Sequence, residues 1–538
     1  MKWLKTLLIG SMAGTLALTG CSSGGSKDGA GASATPSSSS SSAPQGTAKQ
    51  EKLKLSFFLY GANNAVLPSG QEDFVRAKIE EKFNVELVVE NMTASTERKT
   101  KLTARIASGS DAPDLFLVSG TESGEFITQG VVADLSAYLK PDKMPNYFKW
   151  VTSEELGRFQ IPKNFNRAPI PVAPNSYPSY WIRKDWLDKL NLKVPTSYEE
   201  LTSVMQAFSK NDPDGNGKPD TYGYSQAGNG TNVLAYAPQF KKHGLIGGAF
   251  LDKDNNLHDV YSDPKMGAVL DDLRAWIKDG LVDPDWFLSN AAKVKEKFEQ
   301  GRIGMVWLND ARIDGFESTP GNYATNLKKI VPTAQIIPIH PFPGTPNWVG
   351  NLPNTAFLVN KATADKEPAK VQRIMQILDW LASEEGYLLT HYGIQNKHYT
   401  KTGNKIVLNP DTFKAEIVNK GNFLSVWGFM TPEYPSKLNM EVEDPALTEN
   451  DRQALKTIGS WPNAQGFGTS VVPPAGVNLA DFRTPLYKAH ATLLFDEKDA
   501  SKWPSIREEL LTKYKGREIF EAYVQQMRAV GIQVNDFK

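Results

Sequence analysis

The chain has 538 residues, with 60 basic and 60 acidic side chains, so its formal charge is zero. Balanced charge argues against nucleic acid as the main partner, because phosphate recognition needs a surplus of Lys and Arg. The single cysteine, Cys21, excludes a disulfide framework and every zinc site built on clustered thiolates, and the length predicts at least two cores.

Lys2 and Lys5 precede a short apolar run, Leu7 to Leu18, which reads as a secretory signal and is too short for a membrane span. The run ends in Leu18-Thr19-Gly20-Cys21, which resembles the lipobox of bacterial lipoproteins. That resemblance implies a signal peptide over 1–20 and a lipidated Cys21 as the mature N-terminus and membrane anchor. Residues 21–50, rich in Gly, Ser, Ala and Pro, predict a flexible tether spanning about 30 Å. No later segment approaches ~20 consecutive apolar residues.

Leu53 to Tyr60 predicts a strand closed by Gly61. Residues 71–83 predict a helix with Val75, Ile79 and Phe83 on one face, 85–89 a strand, 97–107 a helix, and 114–118 a buried strand. This alternation predicts an α/β unit with a mainly parallel sheet, whose ligands sit at the carboxyl ends of strands. Those ends supply Tyr60, Asn63 and Asn64, then Ser119 and Glu122. A Pro-rich stretch, 161–178, predicts a domain crossover and is followed by a strand, Tyr180 to Arg183. Residues 196–210 predict a helix with a capping box from Thr196 to Glu199. A second helix runs from Asp263 to Gly280, and Ile303 to Leu308 predicts a strand ending at Asn309 and Asp310. Residues 341–354 form a second candidate crossover, 367–385 a helix, and 503–530 a helical tail broken near Gly516.

One segment has metal-ligand spacing. Asp212, Asp214, Asn216 and Asp220 offer side-chain oxygens at positions 1, 3, 5 and 9 of an EF-hand-like loop, and Lys218 offers its carbonyl at position 7. Position 12, where a bidentate Glu belongs, is Gly223. The expectation is a structural Ca²⁺, against the plain alternative of a metal-free surface turn. Aromatic rings at strand ends and crossovers offer flat apolar faces to a ligand, and neighbouring polar groups offer hydrogen bonds. The candidates are Tyr60 with Asn63 and Asn64, Ser119 with Glu122, Trp307 with Asn309 and Asp310, Trp348 in the second crossover, and Trp427. Arg183 could meet a ligand carboxylate or, equally, a structural ion pair.

No zinc-protease, serine-hydrolase or phosphate-loop motif is present. Carboxylate pairs far apart in the chain leave a lipid-anchored glycosidase or lyase as one alternative, and a ligand-presenting sensor as another.

Five stretches, in order, resemble the family 1 extracellular solute-binding proteins of bacterial carbohydrate ABC importers. They are Ile106 to Leu115 (IASGSDAPDL), Gly130 to Leu135 (GVVADL), Trp181 to Leu187 (WIRKDWL), Lys297 to Met305 (KFEQGRIGM) and Trp380 to Tyr387 (WLASEEGY). The length and the calcium-like loop resemble the large lipoprotein branch. The resemblance implies a bilobal, type II periplasmic-binding-protein-like α/β fold with several hinge crossovers. Lobe 1 would comprise 51–172 plus 346–410, and lobe 2 would comprise 173–345 plus part of 411–538 with the C-terminal helices. It implies an oligosaccharide in the interlobe cleft, delivery to ABC permease subunits, no catalysis, and a monomer held on the extracytoplasmic face of the membrane. Trp307 stands where relatives present a cleft tryptophan, and Thr221 stands where relatives with such a loop place an acid.

Overall fold

Leu55, Phe57, Phe58 and Leu59 are all fully buried, because the strand they form lies between helices on both faces. The computed structural model describes residues 51–61, 65–92, 96–109, 111–160, 165–171, 178–231, 233, 236–349, 355–467 and 469–538. Cys21, the tether, Asn63 and Asn64 lie outside them.

In chain order the first strands are β1 Leu53–Leu59, β2 Val85–Asn91, β3 Leu115–Ser119, β4 Ala168–Pro169, β5 Ser179–Arg183 and β6 Tyr222–Tyr224. There follow β7 Ala249–Leu251, β8 Leu257–Asp259, β9 Ile303–Leu308, β10 Ile336–Ile339, β11 Asn347–Val349 and β12 Thr355–Val359. The last are β13 Tyr399–Thr402, β14 Lys405–Leu408, β15 Glu441–Glu443 and β16 Asn463–Gln465.

Among the described residues, one sheet has the order β2-β1-β3-β12-β4. β1 is parallel to β2 and β3, while β12 runs antiparallel between β3 and β4, pairing Thr355 with Ser119 and Phe357 with Ala168. Leu55, Phe57 and Leu59 join a core with Val371, Ile374 and Leu378 of the helix Pro368–Leu381. Phe58, Phe116, Val118 and Leu358 face the other way, onto Leu102 and Phe126. A second sheet has the order β10-β5-β9-β6. It is not mainly parallel: β5 is antiparallel to both β10 and β9, and only β6 and β9 run parallel. Its core gathers Tyr180, Trp186, Phe208, Tyr224 and Trp276. The molecule is therefore a bilobal α/β protein.

The C-terminal third divides between the two cores. Phe423, Trp427 and Met430 pack in the first, whereas Phe482, Leu486, Trp503 and Phe520 pack in the second. Trp503 donates from Nε1 to the Asp263 carbonyl at 2.9 Å, which ties the tail to the start of the helix Met266–Lys278.

Local chemistry moved several expected boundaries. The helix Tyr198–Lys210 is capped by Ser197, whose hydroxyl accepts from the Glu200 N–H at 3.1 Å, rather than by Thr196. The helix expected over 367–385 is two helices, Pro368–Leu381 and Glu384–Tyr392. A Cβ on Gly386 would lie 2.2 Å from the Trp380 carbonyl, so only glycine permits this corner.

Candidate functional site

Strands β1, β2 and β3 are parallel, so Tyr60, Asn91 and Ser119 stand at one edge of the first sheet, and antiparallel β12 brings Thr355 there. The Tyr60 hydroxyl lies 2.8 Å from the Thr355 Oγ1, and the Arg98 guanidinium sits 5.2 Å from the centre of the Tyr60 ring. Burial holds the Tyr60 phenol above its ordinary range. Arg98 is buried; it donates to the Leu117 carbonyl at 3.2 Å and to Glu122 Oε2 at 2.5 Å. Ser119 and Glu122 close a capping box at the start of the helix Gly120–Thr128. Both are engaged in holding this edge together.

The second edge lies at the end of β9. Trp307 is half-buried, edge-on to Tyr180 at 4.7 Å and stacked on Tyr236 at 5.4 Å with 7° between the planes. Tyr236 is 39% exposed and forms the outer ring of this pair. Because β6 is parallel to β9, Gln226, two residues beyond β6, lies at the same edge. Beneath the rings runs Lys241, buried in the helix Pro238–Lys242. Asn309 is exposed, while Asp310 caps the short helix Ala311–Asp314 and pairs with Arg312 at 3.2 Å. Arg312 also reaches Glu433 at 3.0 Å. Glu433 lies seven residues after Val426, whose side chain closes on Gly61 just beyond β1. Glu433 also acts electrostatically on Tyr387 and Tyr392 of the first core, so this ion pair links the helix after β9 to the first lobe.

Two expected ligand residues are elsewhere. Arg183 is 1% exposed, donates to both carboxylate oxygens of Asp185 at 2.8 and 2.5 Å, and lies 4.4 Å over the Trp186 ring. The antiparallel register pairs Tyr180 with Trp307, which puts Arg183 about 10 Å further along the strand, at the opposite edge. It is the structural ion pair. Trp427 is a core residue: fully buried, it donates from Nε1 to Asp73 Oδ2 at 3.0 Å. The Trp348 backbone pairs with Ala464 between β11 and β16; its side chain is outside the described residues.

Residues 212–220 form a turn held by its own side-chain hydrogen bonds. Asp212 Oδ1 accepts from the Gly215 and Asn216 N–H groups at 3.0 and 3.1 Å, and Oδ2 accepts from Gly217 at 3.0 Å. Asn216 Nδ2 bridges Asp214 and Asp220 at 2.7 and 3.1 Å. Desolvation, then the carboxylates of Asp212 and Asp220, hold the Asp214 carboxyl above its usual range. Acids crowded in this way with only an amide between them fit a cation. In the arrangement described, no three His, Cys, Asp or Glu side chains already converge as a metal set. Gly223 at position 12 belongs to β6, and a Cβ there would lie 2.8 Å from Met205 backbone atoms. The packing of the helix Tyr198–Lys210 on the strand therefore leaves no room for a glutamate.

Asn91, Arg98, Thr355, Gln226, Tyr236 and Lys241 were missed by sequence reasoning. The strand-end rule that singled out Tyr60 and Ser119 would have found Asn91, the last residue of β2, and Gln226 just after β6.

A profile of the family described as "Bacterial extracellular solute-binding protein" matches residues 68–387. The polygalacturonan/rhamnogalacturonan-binding protein YtcQ of Bacillus subtilis (strain 168) is 30% identical over 227 residues, 42% of this chain and 43% of that protein. Lipoprotein LipO of the same organism is 24% identical over 307 residues, 52% of this chain and 57% of LipO. The chain thus spans about half the length of the curated relatives it matches. Among solved structures, an extracellular solute-binding protein from Bifidobacterium longum subsp. infantis superposes with a TM-score of 0.68 at 16% identity, covering 89% of this chain and 98% of the other. An EF-hand mutant of S. pneumoniae FusA in complex with fructo-nystose gives 0.61 at 16%, covering 88% and 99%.

Proposed function

Because the chain belongs to the family of bacterial extracellular solute-binding proteins, we propose that it captures an oligosaccharide between its two sheet edges and hands it intact to the membrane permease of an ABC importer. The observation that carries this reading is the stacked Tyr236–Trp307 pair, whose outer ring is exposed at the edge of the second sheet. Such a ring offers a flat apolar surface to a sugar, and Gln226 and Asn309 supply hydrogen-bonding groups at its margin. Tyr60 and Thr355 offer hydroxyls on the other edge. A sugar touching both edges favours the closed arrangement of the lobes by its differential affinity for it. The relatives named for polygalacturonan and fructooligosaccharide binding support a carbohydrate ligand.

The test is a thermal-shift panel of neutral and acidic oligosaccharides, with the sugar recovered afterwards for product analysis. One class of oligosaccharide is expected to raise the melting temperature, by RT ln(1 + [L]/Kd) at the free-energy level, and to be recovered unchanged. Cleavage of the sugar by purified protein would sink the capture reading and favour a glycosidase or lyase.

In the same reading, residues 1–20 are removed, Cys21 carries the lipid, and residues 21–50 tether the lobes to the outer face of the membrane. Ca²⁺ is held by Asp212, Asp214, Asn216, the Lys218 carbonyl and Asp220, where hard oxygen ligands suit it. The loop joins the helix Tyr198–Lys210 to β6, so the cation's role is to stiffen the second lobe. EDTA is expected to lower the melting temperature by a few degrees and excess Ca²⁺ to restore it. A hundredfold excess over Kd is worth about 2.7 kcal/mol. An unchanged melting curve in both arms would remove the metal from the loop.

A further inference from the structure

Lys241 is 3% exposed and has no carboxylate partner among the described residues, which is unusual for a buried ammonium. Its Nζ lies 5.1, 5.4 and 5.9 Å from the ring centres of Trp307, Tyr180 and Phe342, and it donates to Asn347 Oδ1 at 2.6 Å. That single acceptor serves three N–H protons. Two further buried donors stand beside it with no partner, the Asn347 Nδ2 and the Trp307 Nε1. Asn347 is itself 1% exposed, so its free N–H₂ is not left to bulk water. His340, near enough to feel the Lys241 charge, donates from Nε2 to the Thr345 carbonyl at 2.7 Å, which leaves Nδ1 an acceptor with no partner.

A buried cluster with donors in excess is short of an acceptor, and an anionic oxygen pair answers the deficit best, because charge-assisted hydrogen bonds are the strong ones. We propose that Lys241, Asn347 and Trp307 form a subsite for the carboxylate of an acidic sugar, so that the ligand is a uronate-bearing oligosaccharide. This rests on the capture reading above. A uronate places hydroxyls next to its carboxylate, which suits a cluster that holds both donors and the His340 acceptor.

Burial pushes the Lys241 ammonium down to about 7. In the free protein the charge is a burden below that value and is relieved as pH rises from about 7 toward 10.5. A bound carboxylate favours the charged form, so acidic ligands should bind with proton uptake and weaken as pH rises through neutrality. The titratable neighbours do not confuse this. Burial holds the Tyr180 phenol well above its ordinary value, and burial together with Lys241 pushes His340 down to about 4.

The test uses the full-length protein with a galacturonate tetramer and the same tetramer with its carboxyls reduced to hydroxymethyl groups. The acid form is expected to bind at least tenfold more tightly at pH 6, and this advantage to shrink by pH 9. Lys241→Met keeps the volume of the side chain among the rings and should melt no lower than wild type at pH 6. It should bind both tetramers alike, with no pH dependence. A wild-type protein that binds both forms equally, or a Lys241→Met variant that keeps the preference, overturns the subsite and leaves the capture reading standing. An equal thermal shift from sodium acetate alone would make it a general anion site and also overturn it. Refusal of both tetramers overturns the subsite, and the capture reading falls only if the neutral and acidic panel is refused as well.

Discussion

Replacing Trp427 with alanine lowers folding stability by about 3–5 kcal/mol. The indole is fully buried in the first core, so its removal leaves a cavity that the surrounding side chains fill only in part. It also strands Asp73. That carboxylate is buried, caps the helix Phe74–Phe83 by accepting from the Arg76 N–H at 3.1 Å, and takes the Trp427 Nε1–H on its other oxygen. Burial already holds the Asp73 carboxyl above its ordinary value. Loss of the indole donor raises it further. A raised acid binds its proton more readily folded than unfolded, so its contribution is present at low pH and lost as pH rises past the folded value. The deficit of the alanine variant should therefore be smaller near pH 4 than at pH 7, as read by urea unfolding at both. Trp427→Phe keeps most of the packing and loses the hydrogen bond, for a cost of about 1–2 kcal/mol. A stable alanine variant that had lost sugar binding would return Trp427 to the ligand wall.

Tyr236→Ala is expected to weaken oligosaccharide binding by about ten- to a hundredfold, or about 1.4–2.8 kcal/mol, while moving the melting temperature of the free protein by only a degree or two. The ring is exposed and its main partner is Trp307, so few core contacts depend on it. Trp307→Ala should weaken binding at least as much and also destabilise the free protein, because that ring packs on Tyr180 and roofs Lys241. Calorimetry on both variants separates the roles. Unchanged affinity in Tyr236→Ala would mean that the stacked pair is packing rather than a sugar platform.

Much of the scaffold was legible in the amino-acid sequence, and the reasons are local. β1, β3 and β9 are short apolar runs ended by polar or glycine residues, and a buried strand leaves that trace whatever surrounds it. The positions of Tyr60 and Trp307 at strand ends followed directly. What depended on distant partners was hidden. Trp427 read as a possible cleft ring because nothing near it announced Asp73, 354 residues upstream. Arg183 was more readable than it was made, since Asp185, only two residues on, neutralises it. Tyr236 and Lys241 have no strand beside them to mark an edge, so only the folded chain brings Tyr236 over Trp307 and Lys241 under it. The helix Leu479–Phe495 was missed because Pro485 lies inside it and breaks the sequence pattern of a helix.

The placement of β12 bears on how fast the chain can fold. Tyr60 and Thr355 meet although 295 residues separate them, and β12 sits between β3 and β4 rather than at an edge. The first sheet is therefore incomplete until the chain past Val359 is available, and the second core waits longer still, for Phe520 and its neighbours. Contacts of such long range are slow to form, because loop closure must be met before they contribute. The N-terminal half thus has no complete fold of its own to settle into during synthesis. Until the last helices arrive, the apolar strands of the first half therefore have no finished sheet to protect them.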